Sequence, residues 1–258
     1  MLRRSERLAL VLAIATCLGP AASRAATYVF TTSESSIIMD ADNQGWYDEF
    51  GIHDEGNDNY IVGDNGEIHR NFFLFDLSSL DLTAEEVASA TLELEVVGVN
   101  PGFDQDSFVY QYGLFDISLA ATPASVLVAE HLGDAEGLSI YADLGSGTAY
   151  GSLTVDSDLI DGDDLLLFTL NMAALADITA AAGGFFGIGG AITNLDEAAD
   201  EPTLHGGSGG GPERDPHIQR LTIETVPEPG TLLLLPPALG TWWLWSHGLR
   251  RLRGTLHD

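Results

Sequence analysis

Lysine is absent from this chain and cysteine occurs once. Every strongly basic side chain is therefore an arginine, ten in all against 39 acids, for a net charge of −29. The arginines crowd the two ends, with Arg3, Arg4, Arg7 and Arg24 at one and Arg250, Arg251 and Arg253 at the other. Between them, Arg70, Arg214 and Arg220 stand against 36 of the acids (all but Glu6, Glu228 and Asp258), so this body carries −33. A surface so short of cations cannot neutralise phosphates, which excludes nucleic acid as a partner. The single Cys17 lies in an apolar run near the start, so the body has no disulfide, no thiol nucleophile and no cysteine metal ligand. Its "T-C-L-G" context lacks the upstream leucine of a lipoprotein cleavage site.

Long apolar runs are scarce too. One spans Leu8 to Leu18, behind Arg3, Arg4 and Arg7, and "GPAASRAAT" follows with small residues at Ser23 and Ala25. A basic segment, a short apolar segment and small residues predict a secretory signal peptide over residues 1–25, cut after Ala25 or Ala26. About eleven apolar residues are too few for a bilayer that needs roughly twenty. The chain is expected to be exported. Its acidity fits self-repulsion that keeps it soluble, carboxylates gathered for Ca²⁺, or residence in a hydrated polymer matrix.

The body predicts an all-β fold. "SATLELEVVG" (Ser89–Gly98) alternates Thr91, Glu93 and Glu95 with Leu92, Leu94 and Val96, the period of a half-buried strand. "HRNFFLFDL" (His69–Leu77) is the other clear strand. Further strands are expected at Thr27–Thr32, Ser35–Asp40, Phe108–Ile117, Leu138–Leu144, Tyr150–Val155, Leu165–Asn171, Phe185–Ile192 and Gln219–Thr225. Two short helices are expected. One has Thr122 as cap, Pro123 next and Gly133 as stop; the other has Asn171 as cap with Leu175 and Ile178 on one face. Some ten strands predict a single antiparallel β-sandwich over residues 26–204, most simply a jelly roll, although spacing alone does not separate it from an immunoglobulin-like topology. A glycine-rich loop over 205–217 and a last strand over 218–225 would complete it. That loop holds a G-x-S-x-G around Ser208, but Pro212 and acids follow instead of the helix a nucleophile elbow requires.

Two carboxylate clusters are candidate Ca²⁺ sites: Asp40, Asp42, Asp54 and Asp58 in the first, Asp156, Asp158 and Asp161 in the second. Neither follows the EF-hand pattern, since Gly51 stands where the first would need its bidentate glutamate and Ile160 falls at the third ligand of the second. The competing reading is that Asp and Asn cap turns there. Histidines His53, His69, His131, His205 and His217 have no metal-binding spacing and read as turn or surface residues. Trp46 and Tyr47 are the candidate sugar-stacking pair, with core packing as the competing reading. Paired acids also suit glycoside hydrolysis, but among 36 of them no pair stands out.

The tail is more specific. Val226-Pro227-Glu228-Pro229, an apolar stretch from Thr231 to Leu249, and Arg250, Arg251 and Arg253 follow in that order, over residues 226–254. About nineteen residues make a helix of roughly 28 Å, long enough to span a membrane, and the positive-inside rule keeps the arginines cytoplasmic. Pro236-Pro237 and the tryptophans Trp242, Trp243 and Trp245 weaken it as a permanent anchor. This tripartite tail resembles the PEP-CTERM sorting signal of exported proteins in Gram-negative bacteria that make extracellular polysaccharide. The resemblance implies an exosortase as partner, transient residence in the inner membrane, and delivery to the surface or matrix. Within the body, "RNFFLFDLSSL" and "ASATLELEVVG" are similar to the core of DNRLRE-type, carbohydrate-binding-like jelly rolls. That resemblance implies a surface or polysaccharide-associated protein and carries no catalytic residues. The expected role is a non-enzymatic matrix component that binds extracellular polysaccharide with Ca²⁺ support, the alternatives being a polysaccharide hydrolase or lyase and a purely structural surface protein without ligand.

Overall fold

A computed structural model describes residues 25–32, 43–57, 59–64, 66–83, 85–96, 98–100, 109–156, 164–195, 203–206 and 219–228. The expected signal peptide (up to residue 24), the expected strand at Ser35–Asp40 and everything beyond Glu228 lie outside them. No helix of the described residues is long and apolar enough to cross a membrane.

Four strands make a small antiparallel sheet in the order β1 (Thr27–Thr31), β14 (Arg220–Pro227), β6 (Glu85–Val96) and β11 (Asp164–Thr169). The large sheet runs β10 (Ala149–Asp156), β8 (Val109–Asp116), β12 (Phe185–Ile192), β5 (Ile68–Asp76), then β4 (Tyr60–Asp64), β13 (Thr203–Gly206) and β7 (Gly98–Asn100), with β2 (Gln44–Asp48) also on β5. All these pairings are antiparallel. In β6, Ala90, Leu92, Leu94 and Val96 point inward and the glutamates between them do not, as the period-two pattern requires. They meet Phe73, Phe75, Tyr112, Leu114 and Ile188 of the large sheet in one core.

The large sheet is buried on its other face as well. Phe72 and Leu74 of β5 join Tyr47 and Ile117 beneath two helices, α1 (Ala124–Leu127) and α2 (Ala135–Leu144), which contribute Leu127, Ile140 and Leu144. β5 therefore has apolar residues on both faces, which is why "FFLF" does not alternate. Helix α2 lies so close to β12 that a Cβ at Gly189 would come within 2.5 Å of the Leu144 carbonyl oxygen. A third helix, α3 (Met172–Ala181), buries Ala174, Leu175 and Ile178 against the first core. As expected, Asn171 caps it, its side-chain oxygen accepting from the N–H groups of Ala173 and Ala174.

Several expectations are corrected. Leu138–Leu144 is helical, because Asp134 caps Gly137 N–H at 2.7 Å and Gly137, Ile140 and Leu144 fall on one buried face. The helix expected after Thr122 is four residues long and starts after Pro123 without a side-chain cap. The chain then extends into β9 (His131–Leu132), paired with β3 (Ile52–His53). β13 takes in His205 and Gly206 of the expected loop, and β14 runs on through Val226 and Pro227, which pair with Glu86 and Glu85. At the other end of the body, Ala26 exchanges hydrogen bonds with Thr225, so the two ends of the sandwich leave side by side.

Candidate functional site

Of the expected Ca²⁺ ligands, Asp54 and Asp156 are described; Asp40, Asp42, Asp58, Asp158 and Asp161 lie outside the described residues. Asp54 is exposed and its carboxylate accepts from Gly56 N–H at 2.9 Å. Nearby, Asp48 accepts from Phe50 and Ile52 N–H, and Asp64 from Gly66 N–H. These acids shape turns. Among the described residues no group of three or more His, Asp or Glu side chains is placed to hold a metal. In the tail motif, Val226 and Glu228 are exposed and Pro227 is half-buried, while Pro229, Arg250, Arg251 and Arg253 lie outside the described residues.

The sugar-stacking expectation at Tyr47 is overturned. Tyr47 is fully buried, its hydroxyl donates to the Leu127 carbonyl at 2.8 Å, and its ring stacks on His53 at 4.8 Å. Burial, with Asp134 and Glu136 nearby, pushes its ionisation far above the ordinary range. No face is left for a ligand. Trp46 on the same strand is half-buried, and its ring meets His69 at 5.0 Å and His53 at 6.4 Å, edge to face.

Three histidines expected at turns or the surface are core residues: His53, His69 and His131 are 2%, 5% and 4% exposed. β3 and β9 place His53 opposite His131, with Tyr47 packed on both rings. His53 Nδ1 bonds the Trp46 carbonyl at 2.8 Å, and His131 lies between the Asp134 carboxylate and the Val126 carbonyl, both at 3.1 Å. Nothing in their sequence spacing marks this cluster, which is assembled by two-residue strands. Burial brings His53 down to about 4 from 6.5, and His131 adds to the effect; the Trp46 and Val128 carbonyls and Asp54 oppose it. The unfolded chain thus takes up this proton near 6.5 and the folded chain only near 4. Between those values unfolding binds a proton, so stability is full above about 6.5 and falls toward pH 4 by up to roughly 3 kcal/mol. Burial lowers His69 as well, with the same sign. Urea midpoints measured near pH 7 and near pH 5 check this; a midpoint that stays put would refute it.

Two concavities stand out among the described residues. The wider, of about 410 Å³, is lined by Asp116, Tyr150, Asp177, Leu119, Phe185 and Phe186 among others. Tyr150 OH donates to Asp177 Oδ2 at 2.8 Å, and its ring stacks on Phe186 at 5.7 Å. Asp116 Oδ1 accepts from Thr148 N–H at 2.5 Å. Each carboxylate spends one oxygen on the fold, leaving its second as an acceptor. Burial and Asp177 push the Tyr150 phenol far up, so it stays protonated and is a donor, not a base. Sequence reasoning missed this cleft because its acids come from β8 and α3 and its tyrosine from β10. The second concavity, of about 290 Å³, lies beside Arg70.

Compared with known proteins, the chain matches no family model and no curated protein.

Proposed function

We propose that this is an exported, non-enzymatic protein of the cell surface or extracellular matrix of a Gram-negative bacterium, sorted through a PEP-CTERM tail by an exosortase. The observation that carries the reading is where the tail begins: β14 closes the small sheet and ends at Pro227, and Glu228 is exposed at the point where the chain leaves the body. Of the recognition element, Pro227 is the last residue of the strand and Glu228 stands exposed just past it. The signal peptide before Ala26 and the apolar segment and arginines after Pro229 belong to the same reading.

We read the sandwich as a jelly roll. Supporting this, successive main strands fall β1 small sheet, β5 large, β6 small, β8 and β10 large, β11 small, β12 large and β14 small, in the orders β1-β14-β6-β11 and β5-β12-β8-β10. The ligand is an extracellular polysaccharide, with Ca²⁺ as support, and the Asp116–Asp177 cleft takes over from the Trp46–Tyr47 pair as its contact. Free carboxylate oxygens accept sugar hydroxyls, and the half-buried Phe185 gives an apolar wall. A pull-down on neutral polysaccharide, with and without chelator, tests it. Binding that chelator weakens is expected; no retention in either condition removes the glycan role.

A second reading is a polysaccharide hydrolase using Asp116 and Asp177, favoured by their sharing one cleft. Release of new reducing ends, abolished in both Asp116→Asn and Asp177→Asn, would establish it. Either asparagine can still accept the Thr148 N–H or Tyr150 O–H bond, so these variants keep the fold.

A further inference from the structure

The corner where β3, β9 and the start of α2 meet has two faces of opposite character. Inward lie His53, His131 and Tyr47, all buried. Outward, the pairing of the same two strands sets Ile52 beside Leu132, which are 38% and 79% exposed. Phe50 and Leu138, 54% and 45% exposed, adjoin them. Gly51, between Phe50 and Ile52, lies so close to α2 that a Cβ on it would overlap the backbone of Gly137 and Leu138. A Cβ on Gly133, next to Leu132, would meet the Phe50 carbonyl oxygen at 3.3 Å and Ile52 Cγ1 at 3.7 Å. Of the ten large apolar residues exposed among the described residues, four therefore share this one corner.

The backbone that carries them is fixed. Asp48 accepts from the N–H groups of Phe50 and Ile52 at 3.0 and 2.8 Å, and Asp134 accepts from Gly137 N–H at 2.7 Å. Gly51 turns the chain between them at a φ of 77°, open to glycine. Such a surface has little backbone ordering left to undergo on binding. Exposed leucines scattered singly are ordinary, but a contiguous apolar patch with a polar rim marks a contact surface. Here the rim is acidic: Asp54, Glu55, Glu130 and Glu136 are all exposed. No cation offsets them. Among the described residues, Arg70 is held on the Tyr141 and Ala142 carbonyls and Arg220 on Glu93.

We propose that this corner docks a segment of a partner protein that presents aliphatic or aromatic side chains among arginines or lysines. Charge selects this occupant over the others an apolar patch could take. A second copy would set the same acids against their like, in a body that already carries −33. A bilayer with anionic lipid is repelled for the same reason. A basic, apolar segment answers both halves of the surface. Its apolar side chains cover Phe50, Ile52, Leu132 and Leu138, and its cations meet the rim.

A displayed library of random dodecapeptides tests both halves. It is first depleted on a Leu132→Gln/Leu138→Gln double variant, which removes peptides drawn merely by the acidity of the body, and then selected on the full-length chain at about 0.15 M salt. Both leucines are exposed, so the variant keeps the fold, which circular dichroism checks. The selected peptides should combine apolar residues with arginine or lysine. In fluorescence anisotropy, a labelled member should bind the double variant at least about tenfold more weakly. Glu130→Gln/Glu136→Gln should weaken it several-fold, and Leu165→Gln/Leu167→Gln, at exposed leucines of β11, should leave it unchanged. No peptide surviving depletion, selected peptides without basic residues, or an equal loss in the β11 control overturns the proposal. Self-association of the wild-type chain, or binding to phosphatidylglycerol vesicles, that the Leu132→Gln/Leu138→Gln change abolishes also overturns it, by assigning the corner to a second copy or to lipid.

Discussion

Replacing Glu228 with alanine is expected to leave the exported chain with its arginine-bearing tail uncut. The tail resembles a sorting signal, and Glu228 is exposed just past the last strand. A carboxylate between two prolines, in backbone that proline holds extended, is a compact recognition element. Alanine keeps that backbone and removes only the charge and its acceptors. Mass spectrometry of the C-terminus should find the wild-type chain shortened and the variant retaining Arg253. The wild-type product should keep Pro227, since Val226 and Pro227 are tied into the sheet opposite Glu86 and Glu85. An intact Arg253 on the wild-type exported protein would sink the processing claim.

Truncating the phenylalanines of β5 should produce the largest losses of stability. Phe72 and Phe73 are both fully buried, on opposite faces of one strand. Each change to alanine should cost about 3–5 kcal/mol, from lost transfer energy and a cavity that collapses only in part. A domain has roughly 5–15 kcal/mol in total, so either loss is severe. The two should differ in what loosens. Phe73→Ala opens the core between the sheets and should lower protection of the whole sandwich. Phe72→Ala undercuts the helical layer, so amides at Ile140 and Leu144 should exchange sooner than those at Leu92 and Leu94. Hydrogen exchange distinguishes these outcomes, and identical protection maps for the two variants would contradict the two-core description.

The legible parts of this fold were those where local pattern and final environment agree. β6 faces the core on one side only, so its alternation survives in the sequence; α3 carries its cap, its apolar stripe and its terminal glycine in order. The misread parts depend on distant partners. "LSIYADL" alternates well enough to pass for a strand, and only the cap at Asp134 and the docking of Gly137 against Gly51 O make it a helix. β2, β4 and β13 are not among the expected strands, since glycine and aspartate are frequent in and around β2 and β4 and glycine follows β13, yet their backbones complete the large sheet. The sites divide in the same way. A sorting tail is a linear element that a sequence displays whole. The Asp116–Asp177 cleft and the apolar corner around Leu132 gather residues from separate strands and helices, so no spacing could announce them.

The clasp between the two ends of the body bears on how the protein behaves under load. Any pull on the tail enters the fold along β14, which is not an edge strand: β1 flanks it over Thr27–Thr31, and β6 flanks it from Glu85 to Glu93. Its hydrogen bonds run across the direction of pull, so they are strained together and in shear. Unzipping them one at a time would need a force from the side. A body tethered by its C-terminus, to a membrane or to a polymer, is thereby gripped along a strand that is paired on both edges.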